Sequence, residues 1–369
     1  MKHSFSYPVC DRSPLPKGSL CSCLKPLLVP ASWLYYLGIE LWSLVMNFKK
    51  PSILPGLVVS VGNLTTGGTG KTPAVIMLSQ WALQNGYRPT ILSRGYGGHY
   101  RDKILEIFDG TTLKSDAAEA GDEPCLMAEK LKGVPIVLSG KRFLAGQWSR
   151  KRHHTDFFIL DDGFQHRALK RDLDLVLLDA KEPFHNGHLL PRGLLREPIR
   201  HLERAQAFIV TRADRKPLDQ ELEAFLKSRF PEKPVFKSVH VPDRIVFAGR
   251  REDHGPEYLQ GKQVAAFAGI ADPEAFKTTL QQLDAGIVFF KSFADHHPYR
   301  MEEIQALAAE AEKNKADFLI TTEKDWMRIK GLDGPLPDLA YLSIQFRLLG
   351  NEQPFFSMLK NKAQEIIGY

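Results

Sequence analysis

The sequence Ser60-Val61-Gly62-Asn63-Leu64-Thr65-Thr66-Gly67-Gly68-Thr69-Gly70-Lys71-Thr72-Pro73 follows an apolar β-type run at 57–61 and leads into an amphipathic helical pattern at 73–83. This order of strand, glycine-rich loop and helix is typical of a phosphate-binding loop. Glycines let the backbone wrap around phosphate oxygens, and a helix N-terminus supplies unpaired N–H groups. Lys71 is then expected to reach the β- and γ-phosphates, and the Thr72 hydroxyl to ligate Mg²⁺. The predicted nucleotide-binding residues are Asn63, Thr65, Gly67, Gly68, Thr69, Gly70, Lys71, Thr72 and Pro73.

This loop departs from the pattern G-x-x-x-x-G-K-[ST] at its first position, which is Thr65 instead of glycine. We expect Gly62, Gly67 and Gly68 to take over the role of that glycine. The variant K-G-G-x-G-K-T fits the spacing more closely, but its first lysine would stand at Thr66. That argues against the ATPase class that uses the extra lysine across a dimer. The alternative is a glycine-rich turn that binds no nucleotide, which the flanking strand and helix disfavour.

Composition sets broad limits on the kind of protein. The 369 residues are enough for two domains, and 43% apolar with 25% charged residues is ordinary for a globular protein. The 49 basic and 43 acidic residues give a net charge of +6, which suits an anionic partner. Nucleic acid is not expected, because there is no dense Lys/Arg tract or aromatic-basic repeat. Cys10, Cys21, Cys23 and Cys125 make neither a disulfide framework nor a metal site, so a reducing compartment is expected.

Apolar β-rich runs alternate with helical stretches along most of the chain, first over 57–180 and again over 207–346. Such alternation predicts an α/β fold: a P-loop NTPase-type doubly wound, mostly parallel sheet, with a second, smaller α/β domain. The predicted domains cover 51–170 and 175–340. In a sheet of this kind the ligand site lies at the carboxyl ends of the strands.

The N-terminal region divides into two predicted segments. Residues 1–32 are expected to form a flexible leader, since no periodicity is visible over 1–26, and an upstream start codon is the alternative origin of this segment. Residues 33–50 are predicted to hold an amphipathic helix, with Leu34, Leu37, Leu41, Leu44 and Phe48 on its apolar face. By composition this helix fits equally well in a membrane interface or packed against its own domain.

A pair of carboxylates ends a predicted buried strand at 157–160. Asp161 and Asp162 are costly at this place without a cation, and P-loop enzymes hold Mg²⁺ with a carboxylate at such a strand end. His166 follows in the same loop. It could position substrate or a metal-bound water. More often, a histidine in such a loop only forms hydrogen bonds within the protein.

A second acidic pair opens a helical stretch. Asp122 and Glu123 could be simple N-terminal caps, or Asp122 could accept the proton of an attacking hydroxyl, as phosphoryl transfer requires. His296 follows a strand of the second domain and could orient or assist a carboxylate base. Arg94 with Tyr96, and Arg142, lie in basic loops after strands, where they could bind phosphate or be solvated turn residues.

Taken together, these motifs resemble the tetraacyldisaccharide 4'-kinase family, the kinases of the lipid A pathway, from about residue 33 to the C-terminus. The matching motifs are 61–65, 67–73, Ser93-Arg94-Gly95-Tyr96, Gly121-Asp122-Glu123-Pro124, Asp161-Asp162-Gly163-Phe164-Gln165-His166, Leu195-Arg196-Glu197-Pro198, Asp295-His296 and Thr322-Glu323-Lys324-Asp325. A single one of these motifs would be weak evidence, whereas the ordered set is specific.

The resemblance implies ATP-dependent, Mg²⁺-assisted phosphorylation of the 4'-hydroxyl of an acylated glucosamine disaccharide 1-phosphate. The enzyme would work at the cytoplasmic face of the bacterial inner membrane as a peripheral or monotopic protein, with residues 33–48 at the membrane surface. The implied roles are catalysis for Asp122, His296, Lys71 and Asp162, metal binding for Thr72, Asp161 and Asp162, and substrate or phosphate contact for Arg94, Tyr96, Glu123, Arg142 and His166. The resemblance also implies a two-stranded linker at 170–175 and 341–348, and a C-terminal helix at 350–369 that packs back on the first domain.

Two other functions remain open at this point. A regulatory or partitioning P-loop ATPase would use the glycine loop and Asp161-Asp162 without a carboxylate that activates a hydroxyl. A soluble kinase of a small metabolite would have no use for the helix at 33–48.

Overall fold

The computed structural model describes residues 19–95, 104–115, 117–214, 218–250 and 252–368. Its strands are β1 (Leu57–Asn63), β2 (Pro89–Ser93), β3 (Leu105–Phe108), β4 (Ile136–Leu138), β5 (Phe157–Asp161), β6 (Leu173–Asp179), β7 (Ala207–Thr211), β8 (Val235–Phe247), β9 (Glu252–His254), β10 (Gln263–Ala268), β11 (Gly286–Ser292), β12 (Phe318–Thr322) and β13 (Leu339–Leu348). Its α-helices are α1 (Ser19–Phe48), α2 (Lys71–Gln84), α3 (Ala117–Ala120), α4 (Asp122–Lys130), α5 (Arg142–His153), α6 (Leu218–Arg229), α7 (Pro273–Gln282), α8 (Met301–Lys313), α9 (Glu323–Ile329) and α10 (Gln353–Ile367). Two 3₁₀ helices cover Ile199–Arg204 and Pro256–Leu259.

The strands form one continuous sheet in the order β11-β10-β12-β13-β8-β7-β6-β1-β5-β2-β4-β3, with β9 paired to β8. Strands β7, β6, β1, β5, β2 and β4 are parallel, and β3 is an antiparallel edge. We call this part, with its helices, the first half. Strands β13, β12, β10 and β11 are also parallel to one another, and β9–β12 with α7–α9 make the second half. The predicted mostly parallel α/β fold is therefore confirmed.

A long two-stranded ribbon joins the halves. Strand β8 runs parallel to β7 over its first residues and then antiparallel to β13 from Ser238 to Phe247. The predicted linker segment 341–348 lies in β13, but the predicted segment 170–175 does not form its partner. Chain from Leu173 onwards instead belongs to β6, which pairs with β1 on one side and β7 on the other. The first half thus extends past the boundary expected near residue 175. The prediction placed this boundary too early because alternation along the sequence does not reveal which strands are neighbours.

The core of the first half is built around β1, whose residues are all buried, as expected for a central strand of a parallel sheet with both faces covered. The C-terminal helix α10 contributes to this same core, since Phe355, Leu359 and Ala363 are fully buried in the cluster that contains the β1 side chains. Trp81 of α2 stacks on Phe356 of α10 with ring centroids 5.7 Å apart. The end of the chain therefore closes one face of the sheet that carries the phosphate loop.

Helix α1 starts at Ser19, so residues 19–32 are helical and the expected flexible leader is wrong for them; residues 1–18 lie outside the described part.

The polar side of α1 faces the protein. Arg200 donates to the Tyr36 hydroxyl at 3.0 Å and pairs with Glu40 at 2.5 Å, and Tyr35 donates to the Arg196 carbonyl at 3.1 Å. Its apolar side is exposed, with Trp33 63%, Leu34 70%, Leu37 56%, Leu41 64% and Phe48 87% accessible. This is the reverse of how an amphipathic helix packs on a water-surrounded core.

The segment Leu28–Phe48 also has the length and apolar composition of a membrane-crossing helix, which signal sequences and buried core helices share.

Because α10 fills part of the first half's core, truncating its most buried ring should unfold the protein more easily. We expect Phe355→Ala to lower the free energy of unfolding by about 3–5 kcal/mol through lost burial and the cavity left behind. Urea unfolding followed by circular dichroism measures this. Lys360→Ala, on the exposed side of the same helix, is the control and should change stability by no more than about 0.5 kcal/mol. Equal effects of the two substitutions would show that α10 is not part of this core.

Candidate functional site

The phosphate loop lies where β1 ends, and α2 begins directly at Lys71. Gly70 has φ +83°, and a Cβ atom there would lie 2.5 Å from Nε2 of His240 on the β8 ribbon. Both its left-handed backbone and the close approach of His240 therefore require glycine. The Lys71 ammonium donates to Asn63 Oδ1 at 3.1 Å, so the lysine is held over the loop instead of extending into solvent.

The paired carboxylates lie beside this loop because β5 is the immediate neighbour of β1. Asp161 is the last residue of β5 and accepts a 2.9 Å hydrogen bond from Ser93 at the end of β2. Asp162 has a left-handed backbone with φ +49° and pairs with Lys71 at 3.6 Å. Non-glycine residues in this conformation cluster at functional sites.

The two carboxylates differ in their protonation. Burial, followed by the charges of Glu123 and Asp162, raises the pKa of Asp161 to about 6. Burial also acts against ionisation of Asp162, but the charges of Lys71 and Arg196 outweigh it and lower the pKa of that group. Asp162 is thus ionised well below neutral pH, whereas Asp161 loses its proton only near pH 6 and is mostly ionised at pH 7.

The residues here fit a nucleotide with Mg²⁺. Buried Oδ1 of Asp162 and buried Oγ1 of Thr69 have no hydrogen-bond partner among the described residues, so both can receive a ligand. The described part contains no cluster of three or more His, Cys, Asp or Glu side chains that could hold a metal by themselves. That agrees with Mg²⁺, which is held by one or two carboxylates while phosphate and water supply its other oxygens.

Arg196 belongs to this site, although its motif gave no role to it on sequence grounds. Its guanidinium donates to Asp162 Oδ2 at 2.8 Å, Asn63 Oδ1 at 2.5 Å and the Thr65 carbonyl at 3.0 Å. One side chain thus connects the strand end, the phosphate loop and the Asp162 carboxylate. Several hydrogen bonds from one half-buried guanidinium are typical of arginine.

Asp122 lies in the first turn of α4, at the junction of the two halves. Its Oδ2 atom accepts from Arg328 of α9, with Nε at 2.9 Å and Nη2 at 2.5 Å, and lies 3.3 Å from Nδ1 of His296. The structure thus brings Asp122 and His296 together, as the hypothesis of an assisted base requires. Burial acts to raise the pKa of Asp122, but the His296 hydrogen bond and the Arg328 charge lower it overall, and the same hydrogen bond raises the pKa of His296.

Glu123, the neighbour of Asp122 in α4, is electrostatically linked to the phosphate loop. It accepts a 2.5 Å hydrogen bond from Lys324 of α9, and burial, which acts to raise its pKa, is outweighed by the charges of Lys324 and Lys71. Because Glu123 also raises the pKa of Asp161, the carboxylates of α4 and of β5 share one electrostatic site.

Arg94, Arg142 and His166 are electrostatically linked, since the charges of both arginines act on His166 and that of Arg142 also acts on Asp162. Arg142 is buried at the N-terminus of α5 and lowers the pKa of Asp162. Burial lowers the pKa of His166 to about 4, with further contributions from the Arg142, Arg171 and Arg94 charges. His166 is therefore neutral in a positive environment, which suits an anion. Tyr96 lies outside the described residues.

A phosphate loop on a parallel sheet, strand-end carboxylates beside it and an ionised carboxylate at the edge of the site define the class: a P-loop phosphotransferase. The chain belongs to the tetraacyldisaccharide-1-P 4'-kinase family, whose family model matches residues 24–364.

Individual relatives agree with this family. The chain is 40% identical to the tetraacyldisaccharide 4'-kinase of Syntrophus aciditrophicus over 309 residues, covering 80% of this chain and 81% of that protein. It is 36% identical to the enzyme of the same name from Pelobacter propionicus over 356 residues, covering 96% of each. Among solved structures, it is similar to LpxK of Aquifex aeolicus in complex with ATP, with a TM-score of 0.75, 32% identity, and coverage of 92% of this chain and 99% of that one.

The raised pKa of Asp161 predicts that this residue destabilises the metal-free protein. Its folded-state pKa of about 6 is above the unfolded value, so stability is lost as pH rises from about 4 to 6 and stays lost above that. Asp161→Asn keeps an acceptor for Ser93 and removes the charge. We expect it to raise the free energy of unfolding by about 1–3 kcal/mol at pH 8 and by much less at pH 4.

Urea unfolding in EDTA at both pH values measures this effect. Asp109→Asn changes a half-buried turn carboxylate with a lowered pKa; it is the control and should lower stability at pH 8 instead of raising it. A destabilised Asp161→Asn protein at pH 8 would contradict the electrostatic account of this site.

Proposed function

We propose that this chain transfers the γ-phosphoryl group of ATP to the 4'-hydroxyl of a tetraacyl glucosamine disaccharide 1-phosphate, with Asp122 accepting the proton of that hydroxyl. The family supports the reaction as ATP- and Mg²⁺-dependent phosphorylation of the tetraacyldisaccharide in the lipid A pathway. The observation that supports the role of Asp122 is its location. Its carboxylate is only 12% exposed and lies next to Glu123, whose pKa is lowered in part by the charge of Lys71 in the phosphate loop.

The phosphate end of the site fits binding and charge neutralisation. Lys71 and the N–H groups of Gly67, Gly68, Thr69 and Gly70 would hold the β- and γ-phosphates. Thr72, Asp161 and Asp162 would hold Mg²⁺, which when bound neutralises charge that develops on the transferring phosphoryl group. Arg196 keeps Asp162 in place through its 2.8 Å hydrogen bond.

The hydroxyl end of the site fits proton removal. With its pKa lowered, Asp122 is ionised at neutral pH, so its oxygens are free of a proton, although the same shift reduces its basicity. His296, whose pKa is raised by the same hydrogen bond, holds the carboxylate from the other half and stabilises its charge. Arg94, Tyr96, Glu123, Arg142 and His166 are proposed to contact the sugar or phosphate groups. Neutral His166 beside Arg142 can donate or accept a hydrogen bond without a change of charge.

The exposed face of α1 supports work at a membrane surface. Drawing an acyl chain into water costs about 0.8 kcal/mol per CH₂ group, so a substrate with four such chains stays in the bilayer and the enzyme must come to it. We propose that the face lined by Trp33, Leu34, Leu37, Leu41 and Phe48 lies in the interface of the bacterial inner membrane on its cytoplasmic side. The net charge of +6 favours anionic lipid headgroups.

The kinase reaction is tested by transfer of labelled γ-phosphate from Mg·ATP to purified tetraacyl disaccharide 1-phosphate in detergent. We expect transfer by the wild type, none by Lys71→Ala, and a loss of at least about 10²-fold in Asp122→Ala while ATP still binds. Glu129→Ala, on the same helix α4, is the matched control and should remain near the wild-type rate. Near wild-type lipid phosphorylation by Asp122→Ala would exclude this residue as the base.

The membrane role is tested by flotation with vesicles that contain anionic phospholipid. Placing charges on the exposed apolar face, in Leu34→Glu/Leu41→Glu, should weaken vesicle binding by at least about tenfold, because each charge would have to enter the interface. Ile366→Glu changes an exposed apolar residue of α10 and should bind as the wild type does. Unchanged flotation of the α1 variant would refute the proposed contact, and unchanged activity on a short-chain, water-soluble acceptor would show that its active site is intact.

A further inference from the structure

Arg328 is the most connected side chain at the junction of the two halves, and no motif in the sequence assigns a role to it. It lies in α9 and is 9% exposed. Within its own half, Nη1 donates to the Gly269 carbonyl at 2.9 Å and to Asp325 Oδ1 at 3.1 Å. Across the junction, Nε and Nη2 both donate to Oδ2 of Asp122.

The anchor of this arginine is rigid. Asp325 is 0% exposed and accepts further hydrogen bonds from the Tyr299 hydroxyl at 3.0 Å, the Thr322 hydroxyl at 2.7 Å and the Gly269 N–H at 3.1 Å. A guanidinium held on one side by so many fixed groups has little freedom on the other side. Its remaining N–H groups therefore fix the position and rotation of the carboxylate they bind.

The two oxygens of Asp122 are used unequally. Oδ2 accepts hydrogen bonds from two N–H groups of Arg328 and lies 3.3 Å from Nδ1 of His296. These contacts use the acceptor capacity of Oδ2. Oδ1 accepts a 3.1 Å hydrogen bond from the N–H of Glu123 and retains further acceptor capacity. Arg328 therefore distinguishes two atoms that are chemically equivalent in a free carboxylate.

We propose that Arg328 is a positioning residue for the phosphoryl transfer: by occupying Oδ2 of Asp122 from the second half, it directs Oδ1 to the attacking hydroxyl. This inference rests on the proposed role of Asp122 as the proton acceptor. In the step, the hydroxyl O–H bond breaks and its proton goes to Oδ1. The oxygen forms a bond to the γ-phosphorus, and the bond between that phosphorus and the bridging oxygen breaks with release of ADP.

The same junction offers a matched control. Lys330, the residue directly after α9, pairs with Glu129 of α4, so it joins the same two parts of the chain without touching Asp122. A variant that removes this pair loses an ion pair across the same junction, a more exposed one at 24% and 37% against 9% and 12% for Arg328 and Asp122, and keeps the bonds of Arg328 to the Asp122 carboxylate. Any effect that is specific to the orientation of Asp122 must therefore appear at Arg328 and not at Lys330.

The test compares Arg328→Gln, Arg328→Lys, Arg328→Ala and Lys330→Gln in the purified full-length kinase, with Mg·ATP and the tetraacyl lipid varied separately. For Arg328→Gln we expect kcat to fall about 10- to 100-fold, with both KM values within about twofold of wild type, because positioning is lost and substrate binding is not. Arg328→Lys should recover part of the loss, since an ammonium reaches Oδ2 but lacks the planar fork. Lys330→Gln should keep the wild-type kcat.

Chemical rescue separates positioning from a structural role. Added guanidinium ion should restore part of the activity of Arg328→Ala, whereas sodium chloride at equal ionic strength should not, and the melting temperature should not follow the rescue. A wild-type kcat in Arg328→Gln, or an equal loss in Lys330→Gln, would overturn the inference. If Arg328→Ala does not fold, the comparison of Arg328→Lys with Lys330→Gln decides: a loss of kcat confined to Arg328→Lys supports the inference, and equal values refute it.

Asp122→Asn distinguishes failure of the positioning role of Arg328 from failure of the proposed function. If Asp122→Asn retains activity, the role of Asp122 as base is wrong, whatever Arg328 does. If Asp122→Asn is inactive and Arg328→Gln is fully active, Asp122 remains the base and only the positioning role of Arg328 is wrong. In the doubly substituted protein, Arg328→Gln should cause no further loss once Asp122 is Asn, because both act through one group.

Discussion

Neutralisation of buried negative charge at the carboxyl ends of β1 and β5 is the constraint on which the site depends. Asp161 and Asp162 are neighbours in sequence and lie beside the phosphate loop. An uncompensated buried charge costs several kcal/mol, so the surroundings must supply cations. Lys71 comes from the phosphate loop itself and Arg196 from a loop that follows β6, and the bonds of Arg196 to Asn63 and Thr65 tie that loop to the end of β1.

The loop that carries Arg196 also supports the N-terminal helix. Tyr35 donates to the Arg196 carbonyl, and Arg200, a few residues further on, holds Tyr36 and Glu40. These polar contacts fix the polar side of α1 against the protein and leave its apolar side outward. One short segment therefore connects the surface proposed to meet the lipid with the carboxylate that is proposed to hold the metal.

The chemistry of the site is divided between the halves. Asp122 and Glu123 come from α4 in the first half, and the cationic groups that hold them, Lys324 and Arg328, come from α9 in the second. Between the halves runs the β8–β13 ribbon, and His240 of that ribbon packs against Gly70. The contacts of the phosphate loop, the proposed base and the ribbon therefore all require the same relative placement of the two halves.

Local signals explain what could be predicted. The phosphate loop, the strand-end carboxylates and the α/β alternation each depend on residues close together in the chain, and the structure has them as expected. Asp122 and His296 could be proposed as partners only through family resemblance, because no local pattern relates positions so far apart. The start of α1 was misplaced because Pro26 and Pro30 interrupt 19–32, and proline in a helix interior usually breaks the helix.

The sequence by itself determined the strand, loop and helix that are proposed to bind phosphate, because glycine conformation and helix-terminus chemistry act within a few residues. Only the tertiary structure decided that β8, and not 170–175, pairs with β13, and that Arg196 and Arg328 belong to the site. Arg328 lies 206 positions from Asp122, and Arg196 lies 133 positions from Asn63. Contacts of this kind follow from how strands and helices are arranged in space, which side-chain periodicity along the chain does not encode.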